Sequence, residues 1–136
     1  MDFEGALRAR LLAASPVTTL VGQRVYWVDR PQAAGLPAIT LQIIDQERAQ
    51  HMQGVQGLQS ALVQIDGWAA DIEGGPSGYA QGKALKEAII AALLPEETSN
   101  GVKFGRAFVR SRDLSERTET QFIHRPSMDF TFFYSI

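Results

Sequence analysis

A glycine-rich segment that leads to a lysine is the first feature of this sequence with a possible ligand chemistry. The residues GGPSG at 74–78 precede Gly82 and Lys83, and glycine-rich loops of this kind can cradle the phosphates of a nucleotide. A phosphate loop needs Gly, four residues, then Gly-Lys-Ser/Thr. Here Ser77 stands where the first glycine belongs, and Ala84 replaces the hydroxyl that binds magnesium. The segment therefore predicts a helix start, with Gly82 and Lys83 inside the helix, rather than a nucleotide site.

Metal binding and acid–base catalysis have little support in the sequence. His51 and His124 lie in separate polar stretches without HxH or HExxH spacing, and cysteine is absent. No GxSxG motif marks a serine nucleophile. Glu96 and Glu97 fall in a turn-rich connector, where carboxylates stay solvated. We expect solvent-exposed or interface histidines, no catalytic residue, no metal and no cofactor.

Five arginines interleaved with phenylalanines make the last third of the chain locally basic. They are Arg106, Arg110, Arg112, Arg117 and Arg125. Arginine and aromatic side chains together can bind single-stranded nucleic acid. The other interpretation is a solvated sheet edge on which these arginines pair with Asp113, Glu116 and Glu119. The interspersed acids favour the sheet edge.

The composition is that of an ordinary globular domain. The chain has 136 residues, of which 45% are hydrophobic and 21% charged, so residues 1–136 predict one domain. The formal net charge of −2 provides no global positive field for nucleic acid. No segment approaches the roughly 20 apolar residues of a membrane-spanning helix, and we expect no membrane partner.

Helical spacing appears at the start of the chain and again in its second half. An amphipathic helix follows Asp2, which can cap it, and a short helical turn covers 15–22. The main helix begins behind Ser77 and ends at Pro95. Its small residues, including Gly82, let it lie close to a sheet.

The stretch 36–68 predicts two long strands of an extended hairpin. Apolar and polar residues alternate over 39–43 and over 61–66, the period of a half-buried strand. Between them, 45–59 is polar and contains Gly54 and Gly57, which predicts a long surface loop with a function.

Further strands are predicted at 24–28, 102–110 and 128–134, and the last is apolar enough to belong in mid-sheet. The charged stretch 112–120 predicts an exposed turn or strand end. The expected fold class is α+β, a largely antiparallel β-sheet of four to five strands with two helices packed on one face. Ile44, Trp68 and Phe133 are expected on the other face, where apolar side chains favour assembly.

Several segments in order also carry a family resemblance. They are ALRARLLAASPVTTLVGQRVYW near the start, Leu36-Pro37, Gly57-Leu58, VQID at 63–66 with Trp68, and Met128-Asp129-Phe130 near the end. Together they resemble the tail-completion (tail-terminator) family of long-tailed bacteriophages and gene transfer agents. The Gly-Gly-Pro at 74–76 departs from the family pattern, which runs directly from the tryptophan strand into the helix.

The resemblance implies a structural virion protein rather than an enzyme. Such proteins form a ring, commonly hexameric, on the head-proximal end of the tail tube, after assembly in the bacterial host cytoplasm. The ring stops tube growth, joins the connector or stopper protein of the neck, and lets DNA pass without sequence-specific binding. The alternative is a small α+β ligand-binding or regulatory module without catalytic activity, which would show a discrete apolar pocket with convergent polar groups.

Two stretches are candidate contact surfaces. The hairpin loop contributes Arg48, His51, Met52, Gln53 and Leu58 as candidates for contacts within the ring. Arg48 can bond a neighbour's carboxylate in a bidentate manner, and Met52 adapts to irregular surfaces. The charged run contributes Arg112, Asp113, Glu116 and Arg117 as candidates for the tube or the neck.

Overall fold

Three helices cover one face of a seven-stranded sheet in the part of the chain that the computed structural model describes: residues 2–31, 35–51, 54–72, 74–117 and 122–136. The side chains of 48–51 and 54–57 lie outside that description. The helices are α1 Phe3–Ala13, α2 Ser15–Val21 and α3 Gly78–Leu93. The strands are β1 Val25–Trp27, β2 Ala38–His51, β3 Gly54–Ala70, β4 Glu97–Ser99, β5 Val102–Phe104, β6 Phe108–Arg117 and β7 Phe122–Ser135.

The sheet is antiparallel except at one edge. Its order is β1-β2-β3-β7-β5-β4, and β6 also pairs with β7. Only β1 runs parallel to its neighbour β2. The mixed α and β class and the largely antiparallel sheet agree with the prediction, whereas four to five strands and two helices were too few. The three-residue strand β4 is too short to show a hydrophobic period, so it could not be found from spacing.

Capping residues set the starts of α1 and α3 as predicted. The Asp2 carboxylate accepts a hydrogen bond from the Gly5 amide at 2.8 Å. Ser77 Oγ accepts one from the Ala80 amide at 3.1 Å. Each bond satisfies an amide that has no partner inside its helix. The predicted helical turn at 15–22 is a helix as well, and it ends at Gly22 with φ of 60°.

Gly82 lies inside α3, as predicted, and permits close contact with β7. A Cβ atom at this position would lie 2.4 Å from Cδ2 of His124, a separation that van der Waals repulsion forbids. The helix therefore packs directly on the imidazole of His124, a residue that is 5% exposed. The prediction of a solvent-exposed or interface histidine was wrong for His124, because β7 starts earlier than the 128–134 strand predicted and turns this residue toward α3.

The hairpin of β2 and β3 continues through most of the predicted loop. Glu47 pairs with Ser60 and His51 with Gly54, with irregularities in register at 43/45 and 48/50. The prediction of a loop over 45–59 was therefore wrong. A two-stranded ribbon outside the core can be polar on both faces, so it keeps its ladder while losing its hydrophobic period. Met52 and Gln53 lie outside the described residues.

The second half of the sheet also departs from the predicted boundaries. The predicted strand 102–110 is two strands, β5 and β6. Between them the Gly105 amide donates a hydrogen bond to the Phe133 carbonyl and the Ala107 amide donates one to the Leu94 carbonyl, which interrupts the strand. The charged residues 112–117, predicted as a turn or strand end, continue β6. The mid-sheet position of the last strand is confirmed, with β3 on one side of β7 and β5 and β6 on the other.

Candidate functional site

The sheet face opposite the helices is covered by no helix or further strand of the described structure. It carries alternate residues of each strand, because successive side chains of a strand point to opposite faces. We call it the open face. It includes Gln64, Asp66 and Trp68 of β3, Arg125, Asp129 and Phe133 of β7, and Phe108, Arg110 and Arg112 of β6.

One end of the open face is apolar. Leu58 is 60% exposed, Phe108 64% and Phe133 37%. The rings of Phe108 and Phe133 meet edge to face, with centroids 6.2 Å apart, and Leu58 and Phe133 line a shallow cavity of about 220 Å³ with Glu47. We call these three residues the apolar patch. Exposed apolar clusters of this kind mark interaction sites.

The sequence had indicated only part of this patch. Phe133 was expected on the second face, and Leu58 was a candidate contact residue. Phe108 was missed, although the pair Phe108-Val109 breaks the alternation of its predicted strand, which was a signal. Trp68 also lies on the open face as expected, and Ile44 is 49% exposed at the irregularity in β2.

The middle of the open face is polar and partly ion-paired. Arg112 Nη1 donates to Asp129 Oδ2 at 3.0 Å. Trp68 has the guanidinium groups of Arg30 and Arg125 each 4.9 Å from its ring centroid, and its Nε1 donates to Thr40 Oγ1 at 2.9 Å. These contacts hold the Trp68 ring in place on the open face.

The charged run on β6 is divided between the two faces of the sheet. Arg112 lies on the open face, whereas Asp113 lies on the helix side, 3.6 Å from Lys86 Nζ and 3.9 Å from His124 Nε2. The expected pairing of Arg112 with Asp113 or Glu116 was wrong, because Asp113 points to the other face and Glu116 is four strand residues away on the same face. Glu119 lies outside the described residues. Glu116 is exposed, and the Arg117 guanidinium lies 5.3 Å from the Phe122 ring centroid.

The described part of the hairpin extends beyond the body of the sheet. Pairing of β3 with β7 begins at Gln59, so the strand residues 54–58 pair with no described strand other than β2. Arg48 and His51 belong to the last part of β2. The hairpin therefore projects next to the apolar patch, whereas the charged run lies farther along β6.

The described surface offers small cavities, including the one at the apolar patch. Those bounded by described residues include volumes of about 250, 220 and 270 Å³, below the roughly 300–1,000 Å³ of typical ligand pockets. No three or more potential metal ligands lie together in the described ranges. None of the described helices has the length and hydrophobicity needed to cross a membrane.

Comparison with known proteins gives a family and a fold. The model of the family described as tail completion protein gp17 matches residues 5–135. A chain from a solved structure described as the virion of a native gene transfer agent particle has 19% identity and a TM-score of 0.66, over 98% of this chain and 95% of that one. A second solved structure has 12% identity and a TM-score of 0.55, over 95% and 92%.

No protein with curated function matches the sequence. The two structural matches show a shared fold at these identities, and the family match spans nearly the whole chain. The chain therefore belongs to the tail completion protein gp17 family, and it is a structural protein of a phage-type tail.

Proposed function

We propose that copies of this chain form a ring, a hexamer in the simplest case, on the head-proximal end of a tail tube. The ring ends the addition of tube subunits and presents a surface to the connector or stopper protein of the neck. The protein is made in the host cytoplasm and remains in the tail of the finished particle. The family match over residues 5–135 carries this proposal, and the similar fold in a gene transfer agent virion supports it.

The projecting hairpin and the apolar patch support assembly with neighbours. A two-stranded ribbon is marginally stable by itself in water, and exposed apolar side chains gain free energy when a partner covers them. We assign contacts within the ring to the hairpin and its flank, with Arg48, His51, Met52, Gln53 and Leu58. We assign contacts with the tube or the neck to Arg112, Asp113, Glu116 and Arg117.

The charge of the chain suits a channel for DNA. Tight binding of DNA requires cations that displace the counterions of phosphates. This chain has a formal net charge of −2, and Arg112 on the open face is already paired with Asp129. DNA therefore passes the ring without being held.

Deleting the gene from its phage or particle cluster tests the role directly. We expect overlong tails, or finished tails that are not joined to heads, because nothing ends tube growth or binds the neck. Negative-stain electron microscopy of the particles gives the readout, and the gene supplied from a plasmid should restore normal particles. Tails of normal length on intact heads after deletion would refute the proposed function.

Point variants test the assignment of the hairpin. We expect the purified Arg48→Glu and Met52→Asp proteins to fold, which thermal unfolding checks. In the particle assay, however, both should give uncapped tails, because charge repulsion or a desolvated acid opposes the contact. Lys83→Glu, an exposed position on α3, is the matched control. Variants that cap tails normally would remove the hairpin from the ring contact.

A further inference from the structure

Two free strand edges lie on opposite sides of the sheet. Within the described structure, β6 pairs with β7 along Phe108–Arg117 and has no strand on its other side. On the far side, β1 pairs with β2 only at residues 39–41 of β2, so the edge of β2 over 42–51 has no described partner. Free edges present amide and carbonyl groups that can pair with another chain.

We propose that the first part of β6, residues 108–114, pairs in one copy with residues 42–48 of β2 in the next copy, so that the sheet continues from copy to copy. This inference rests on the proposed ring and names the surfaces that form it. The contact joins two different edges of the chain, so it is head to tail, the kind of interface that closes into a ring.

Strand direction fits this contact. β2 and β7 run one way, and β3 and β6 run the opposite way, because each of these neighbouring pairs is antiparallel. Rotation about a ring axis that runs roughly along the strands keeps every strand's direction. β6 therefore meets the neighbouring β2 antiparallel, and the alternation of directions continues across the contact.

Strand β1 determines the stagger between copies. Within one copy, Ile43, Val63, Phe130 and Val109 lie in one row across the sheet. The neighbour's β6 must shift from this row toward the hairpin by a few residues, because β1 already occupies 39–41 of β2. Residues 115–117 at the end of the neighbour's β6 stay outside the pairing, beside β1. Closing a sheet requires strands that tilt and stagger in this way.

The shifted register brings opposite charges together. Asp45 and Glu47 are exposed and form no ion pair within the described part of the chain, and the same holds for Arg110. Arg110 moves to the level of these acids when β6 shifts by a few residues. Phe108 of the apolar patch then packs beside the neighbour's hairpin. Charge and apolar contact thus favour the same pairing.

Engineered cysteines test the contact, since the natural chain has none. Glu47→Cys with Arg110→Cys in one chain places a thiol on each edge. Particles assembled with this variant are treated with a short bis-maleimide, which spans small differences in register, and are then run on a denaturing gel. We expect a ladder of covalent multimers that contains most of the protein. Each single variant, and Lys83→Cys with Arg110→Cys, should remain monomeric.

The possible outcomes separate this inference from the proposed function. Monomer alone, in particles that contain the double variant and have normal tails, would overturn the edge pairing and leave the tail role intact. A protein that is absent from wild-type particles would count against the tail role itself. As a second measurement, Glu47→Arg should reduce incorporation into particles severalfold, and Glu47→Arg with Arg110→Glu should restore it. Failure of the swap to restore incorporation would also overturn the pairing.

Discussion

Replacing Phe132 by alanine is expected to lower the free energy of unfolding by about 3–5 kcal/mol. The Phe132 ring is fully buried, and its centroid lies 5.5 Å from that of Phe130, 5.9 Å from Phe104 and 6.0 Å from Phe3. Truncation removes these contacts and leaves a cavity where β7, β5 and α1 meet. The loss is a large share of the roughly 5–15 kcal/mol that stabilises a typical domain.

The neighbouring residue provides the control for this variant. Phe133 lies on the opposite face of β7 and is 37% exposed, so Phe133→Ala should cost about 1 kcal/mol or less. Its effect should appear instead in the particle assay, since it removes part of the apolar patch. Urea denaturation of both variants gives the free energies. Equal losses would contradict the assignment of the two rings to different faces.

Replacing Arg10 by alanine is expected to cost about 2–4 kcal/mol of stability. Arg10 is 3% exposed. Its Nε donates to Glu97 Oε2 at 2.7 Å, and its Nη2 donates to the Pro95 carbonyl. Its guanidinium lies 5.1 Å from the Phe104 ring centroid. Alanine would remove the link from α1 to the end of α3 and to β4, and would leave a cavity at their junction.

We expect the ion pair with Glu97 to contribute less to the stability of the Arg10 contact than packing and the Pro95 bond do. Burial lowers the pKa of Arg10, and the charge and hydrogen bond of Glu97 oppose that shift. The Glu97 side chain is 53% exposed, so water weakens the ion pair. Glu97→Gln retains an acceptor for Arg10 Nε and should cost about 1 kcal/mol or less. Thermal or urea unfolding separates the two variants, and equal losses would show that the ion pair, rather than packing and the Pro95 bond, is the anchor.

The open face links these stability predictions to the proposed ring. Phe132 and Arg10 are buried on the helix side of the sheet, where packing stabilises the fold. The open face, in contrast, carries the exposed side chains of Phe108, Arg110 and Phe133. Substitutions on the helix side should therefore cause folding defects, and substitutions on the open face should cause assembly defects. A structural protein of a tail must both fold and assemble, and the two faces meet these requirements separately.

The sequence alone determined the local structure and the family. The Asp2 and Ser77 caps, the position of Gly82 inside α3 and the alternation of the last strand were all correct, because caps and hydrophobic periods depend on residues close together in the chain. The order of short motifs led to the tail-completion family, which the family match then confirmed.

Only the tertiary structure decided how distant segments meet. The burial of His124 under Gly82, the pairing of Arg112 with Asp129 and the exposure of Phe108 all depend on which strand lies beside β7 and in which register. A shift of one residue in that register would exchange the two faces of β6. Hydrophobic spacing within β6 is too weak to specify the register, because most of its side chains are exposed, and long-range packing supplies the information that local spacing lacks.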